Sequence, residues 1–114
     1  MNLTRVIIFT DRVRVLVEFY ATIFSLPLVG EINDEWVELQ AGGCLLAFHK
    51  TSRKTQGKDD TGLKLVFCPD DIEEERRRLI DLGVKMGLVK RFGDLSLCDG
   101  SDPDGNRFQF STRS

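Results

Sequence analysis

A chain of 114 residues, 41% hydrophobic and 30% charged, suits one globular domain and is too apolar to stay disordered. Its formal net charge of −2 gives no bulk attraction to nucleic acid or to an anionic membrane surface. No apolar run reaches the roughly 20 residues of a membrane span, and Met1-Asn2-Leu3-Thr4-Arg5 has no signal-peptide layout. Cys44, Cys68 and Cys98 are odd in number and widely separated, so they form neither a zinc-ligand pair nor a redox CxxC motif. A reduced, cytoplasmic protein is the expectation.

The first half opens on Val6-Ile7-Ile8-Phe9, a β-rich run. A helix follows, with Asp11 as its expected N-terminal cap. Its apolar positions Val13, Leu16, Val17, Tyr20, Ile23 and Phe24 keep the 3.6-residue period, and Pro27 stops it. Leu28 to Ile32, Trp36 to Gln40 and Cys44 to His49 then read as strands, broken by the turn signals Asn33-Asp34 and Gly42-Gly43. Residues 51–61 are polar and contain Gly57. They read as an exposed connector, or alternatively as a lid over a ligand site.

The second half repeats the order. Leu63 to Phe67 is strand-like, and Pro69 with Asp70-Asp71 starts a helix. Glu73-Glu74-Glu75 sit near its positive end and Arg76-Arg77-Arg78 follow, with Glu73 to Arg77 and Glu74 to Arg78 at i,i+4 spacing. That charge run reads as a solvated helix face, and Gly83 marks the C-terminal stop. Strands are expected near Lys85 to Val89, Leu95 to Cys98 and Arg107 to Ser111. Asp102-Pro103-Asp104-Gly105-Asn106 is a turn by its chemistry, and the phrase after it alternates polar and aromatic. Each half is thus strand, helix and three strands, an internal repeat of pattern without residue identity. The class is α+β. Each helix can cover only one face of its sheet, so the other face must meet a ligand, the second unit or another chain.

Val17-Glu18-Phe19-Tyr20 in the first helix, Pro69-Asp70-Asp71-Ile72 at the start of the second, and the Asp102–Asn106 turn carry a resemblance. In this order and spacing the chain, from Arg5 to Phe110, resembles the glyoxalase/bleomycin resistance group, the vicinal oxygen chelate (VOC) superfamily. The resemblance implies two βαβββ units forming a cleft-shaped mixed sheet with helices on the outer face. Unit one is 4–50, the linker 51–61 and unit two 62–112, and the implied assembly is a homodimer. Metal-dependent members place ligands on the first and last strands of each unit. Those positions fall here on Arg5, Ala47, Lys64 and Gln109, where relatives usually have a glutamate at the last. Arginine and protonated lysine offer no lone pair, alanine has no donor, and one neutral amide cannot hold a divalent ion that needs about three protein ligands. A two-residue slip at Ala47 brings in His49 and still leaves the set incomplete. No metal or other cofactor is expected.

Strand alternation places Arg5, Ile7 and Phe9, then Leu45, Ala47 and His49, on the concave side. Lys64, Val66 and Cys68, and Arg107, Gln109 and Ser111, join them from the second half; a one-residue slip would swap every assignment. Such a surface suits an elongated, partly aromatic ligand with a carboxylate or phosphate. Arg5 is the better anion partner because its fork is bidentate. Alternatively Arg5 and Lys64 form structural pairs with carboxylates such as Glu38, or lie exposed at a sheet end. His49, the one histidine, is either a general acid–base or a surface side chain at a strand end. Tyr20 reads as core, and Trp36 as the floor of the cleft or a dimer contact. Cys68 and Cys98 read as buried and inert. No glycine-rich phosphate loop and no Gly-x-Ser-x-Gly elbow occurs.

Three functions fit. The preferred one is a metal-independent small-molecule binding protein using Arg5, Phe9, Trp36, Ala47, Lys64, Arg107 and Gln109. The second is a lyase or isomerase working without the usual metal through His49. The third is a dimerisation or regulatory module with a plugged cleft.

Overall fold

The computed structural model describes residues 1–57 and 62–113, so residues 58–61 of the expected connector lie outside the described residues. The chain divides into two units, Met1–Gly57 and Lys58–Ser114. Each has a four-stranded mixed sheet and one helix, which is the expected α+β arrangement of βαβββ units.

Unit one runs β1 (Arg5–Thr10), α1 (Val13–Ile23), β2 (Leu28–Val29), β3 (Trp36–Ala41) and β4 (Cys44–Lys50). The sheet order is β1-β4-β3-β2, with β1 parallel to β4 and the other pairs antiparallel. The apolar stripe of α1 is Val13, Leu16, Val17, Tyr20 and Ile23, all buried. Tyr20 packs its ring on Phe48 of β4 at 5.4 Å. Since Ile8 is opposite Phe48, Val6, Ile8 and Thr10 face the helix, and Arg5, Ile7 and Phe9 face away from it.

Two expectations change here. Asp11 does not cap α1: the cap position is Arg12, with no side-chain cap bond. Instead the Asp11 carboxylate accepts from the Thr55 hydroxyl at 2.6 Å and the Thr55 amide at 3.2 Å. These two donors lower the Asp11 pKa, the Thr55 hydroxyl most. The carboxylate therefore ties the strand–helix corner to buried Thr55 rather than to the helix end. The second change is that β2 stops at Val29, because Gly30 adopts φ +81° and breaks the extended path.

Unit two runs β5 (Leu65–Phe67), α2 (Ile72–Asp81), β6 (Lys90–Phe92), β7 (Leu95–Ser101) and β8 (Arg107–Ser111), in sheet order β5-β8-β7-β6. Asp71 caps α2 by accepting from the Glu74 amide at 3.1 Å. At the other end Gly83 donates to Ile80 and Val84 donates to Leu79, both at 2.9 Å, which closes the helix in a Schellman motif. The charge run is tied down: Arg78 bonds Glu75 one turn back, and Glu73 pairs with Arg91 on β6. The strand expected at Lys85 to Val89 is reduced to a single bridge, Met86 to Gly100, and the ladder resumes at Lys90.

Buried Gly100 has a steric reason. A Cβ there would lie 2.4 Å from the Phe108 ring and 2.6 Å from the Met86 sulfur. The Asp102–Asn106 turn satisfies itself. One Asp102 oxygen accepts from the amides of Asp104 and Asn106, the other accepts from the Asn106 side chain, and each bond is 2.9 Å.

Candidate functional site

In each unit the sheet face turned away from the helix carries the polar and candidate side chains. On the first sheet the register groups Arg5, Ile7 and Phe9 of β1 with Leu45, Ala47 and His49 of β4 and Gln40, Glu38 and Trp36 of β3. Arg5 donates from Nε to Glu38 at 2.5 Å, so an ion pair joins β1 to β3 across the intervening β4. Ala47, opposite Ile7 and Glu38, is fully buried. The Glu38 carboxyl is held below its usual pKa, first by the bond from Arg5; burial opposes this, and the Trp36 side chain adds to it. Of the readings open for Arg5, the structural pair with Glu38 is the one formed.

Beyond that ion pair the face becomes aromatic. His49 lies between Phe9 and Trp36, with ring centroids 5.6 and 5.3 Å away. Phe9 and Ile7 are nearly half exposed. Among the described residues no carboxylate bonds to the imidazole, so nothing orients it as an acid–base group.

The second sheet repeats the plan with other residues. Lys64 lies just before β5, and its ammonium reaches the Asp99 carboxylate of β7 at 3.2 Å. Gln109, on the centre strand between them, donates its side-chain amide to the same carboxylate at 2.9 Å. Ser101 is opposite Arg107, and Asp99 opposite Gln109. Ser111, expected on the open face, is buried and accepts from the Arg113 amide. Cys68, expected to be buried, is exposed, because β5 ends at Phe67 and releases it. Cys98 is buried, and that burial raises its thiol pKa.

A groove of about 320 Å³ opens on this unit, lined by Lys85, Met86, Gly87, Asp99, Gly100, Ser101 and Arg107. Of these, Arg107 alone is a binding candidate from sequence. The missed signal is positional: period-two alternation carried back from the Asp102 turn puts Ser101 and Asp99 on one face.

The four positions where the resemblance implies metal ligands therefore hold an arginine committed to Glu38, a buried alanine, a lysine committed to Asp99, and a glutamine bonded to that same aspartate. This donor set does not fit a divalent metal. Among the described residues no other cluster of three or more His, Cys, Asp and Glu side chains could hold one.

The profile of the glyoxalase-like domain matches residues 5–111, spanning both units and both ion pairs. The chain belongs to the glyoxalase-like domain family. Solved structures agree on the fold. A lactoylglutathione lyase from Agrobacterium tumefaciens is 16% identical at a TM-score of 0.76, over 96% of this chain and 92% of that one. The fosfomycin resistance protein FosX from Mesorhizobium loti is 14% identical at 0.79, over 99% and 92%. An integron cassette protein from V. cholerae is 22% identical at 0.73, over 100% and 96%. No curated protein is similar enough to count as a match. Within this glyoxalase-like chain, no described helix is long and apolar enough to cross a membrane.

Proposed function

We propose that this glyoxalase-like protein is a metal-independent small-molecule binding protein of the glyoxalase/bleomycin resistance type. Its ligand has an apolar or aromatic body and an anionic group. The observation that carries the reading is the pair of cation–carboxylate bridges, Arg5 to Glu38 and Lys64 to Asp99, standing where the resemblance implies metal ligands. Exposed Ile7, Phe9 and Val66, with half-buried Trp36, supply apolar and aromatic surface beside them. The scaffold itself leaves catalysis and binding open, since its fold relatives include a lyase and a drug-resistance protein. Binding is favoured because the one histidine stands between two rings rather than beside a carboxylate.

Elemental analysis of the purified protein, with thermal melts in Zn²⁺, Ni²⁺, Mn²⁺ and Fe²⁺, is the test. The expected result is no stoichiometric metal and no metal-specific stabilisation. One bound metal per chain, or a large shift with one ion alone, overturns metal independence and returns the lyase reading. Calorimetry with aromatic carboxylates and phosphates tests binding itself.

A further inference from the structure

The geometry points to an oxyanion subsite on the open face of the second sheet, made by Lys85, Ser101 and Arg107, that receives the anionic group of the ligand. The inference rests on the small-molecule reading above and moves its anionic end to new residues. Arg5 and Lys64, the cations that sequence favours, each already bond a carboxylate. An incoming anion at either must displace Glu38 or Asp99. Lys85 and Arg107 are in a different state: among the described residues neither forms an ion pair.

The backbone brings these two cations to one place. The bridge between Met86 and Gly100 is flanked by bonds from the Gly87 amide to the Asp99 carbonyl at 2.8 Å and from the Ser101 amide to the Lys85 carbonyl at 3.3 Å. Lys85 is thereby opposite Ser101 on one side, and Arg107 is opposite Ser101 on the other. Adjacent strands lie about 4.8 Å apart, so a hydroxyl sits between two cationic positions spaced roughly 10 Å across the sheet. Two long side chains can close that distance on a single oxyanion. All three residues line the 320 Å³ groove, which is at the small end of the usual range for ligand pockets.

The groove also has a reason to stay open. Gly87, on its edge, has no side chain to fill it, and the nearest atom to a Cβ there is the Asp99 carbonyl at 3.5 Å. The Asp99 carboxylate lines the groove too, but Lys64 and Gln109 already bond it. With Asp99 balanced by Lys64, the groove keeps the two positive charges of Lys85 and Arg107. A forked guanidinium, an ammonium and a hydroxyl suit a carboxylate or a phosphate monoester.

The test is an NMR and calorimetric titration of the full chain with inorganic phosphate, phenyl phosphate and benzoate. It is repeated on Lys85→Gln, Arg107→Gln, the double variant and, as a charge control, Arg77→Gln on the exposed face of α2. Phosphate is expected to shift the amides of residues 85–87, 99–101 and 107. The double variant should weaken binding about tenfold or more, the loss of one to two charge-assisted bonds, while Arg77→Gln, which removes one exposed charge away from the groove, leaves it within about twofold. Exposed Lys85 and Arg107 leave the fold intact when changed, which thermal melts check. Tighter phenyl phosphate assigns a phosphate ester, and tighter benzoate assigns a carboxylate; either supports the subsite. Phosphate captured in the groove with neither aromatic bound supports the subsite and removes the aromatic-ligand reading. An aromatic anion that binds equally well to the double variant overturns the subsite and leaves the binding reading standing. No anion binding at all overturns both.

Discussion

The two units share one topology and are held together differently. Helix α1 buries five apolar side chains and has no side-chain cap at its start. Helix α2 buries only two, Ile72 and Leu79, and instead has an aspartate cap, acids in its first turn and a basic last turn. The same contrast continues on the open faces. Under the first bridge the centre-strand residue is a buried methyl, Ala47; under the second it is Gln109, which joins the hydrogen bonding. One arrangement of strands can thus be stabilised mainly by burial or with a larger share of local polar bonds, because the topology needs only that one helix cover one sheet face.

Substitutions that separate burial from local bonding test this contrast. The largest effect is expected at Phe48, fully buried against Tyr20. Phe48→Ala should destabilise by about 3–5 kcal/mol in denaturant melts. A loss under 1 kcal/mol would mean that unit one does not depend on its core. Next is Gly100→Ala in unit two, where the new methyl meets Phe108 and Met86. Overpacking of this kind costs about 1–3 kcal/mol, and a neutral result would refute the tight approach. Asp71→Ala removes the α2 cap and should cost about 1 kcal/mol, a contribution with no counterpart at Arg12. The smallest effect concerns acid. Glu38 has a lowered pKa in the fold, so its stabilising bond is complete above its ordinary value of 4.5 and is lost as pH falls through the lower folded value. The stability gap between the natural chain and Glu38→Gln should be flat near neutrality and close in acid. A gap that widens there reverses the assigned sign.

Features set by neighbours in sequence were legible, and those set by distant pairing were not. The α1 stripe from Val13 to Ile23, a helix start at Asp70-Asp71, the Gly83 stop and the Asp102 turn depend on residues a few positions apart, and each formed as expected. The alternation of β1 likewise told Arg5, Ile7 and Phe9 from Val6 and Ile8. Asp11 was misread because its partner, Thr55, is 44 residues away. Glu38 could be named only as one candidate partner for Arg5, since a bridge across a centre strand depends on the registers of two ladders at once. Lys85 and Ser101 went unnoticed for the same reason. Their meeting depends on an isolated bridge at Met86 that no periodicity announces.

The Asp102 turn has an effect well beyond its five residues. Its internal bonds fix where β8 begins relative to β7, and so which of their side chains lie together. Strand faces invert with every single-residue slip. One residue inserted into or deleted from this turn would rotate Phe108 and Phe110 toward water and drive Arg107 and Gln109 toward the helix. Length, more than composition, is therefore the quantity this segment must conserve. It acts as a frame marker, and the chemistry of the second open face is read from it.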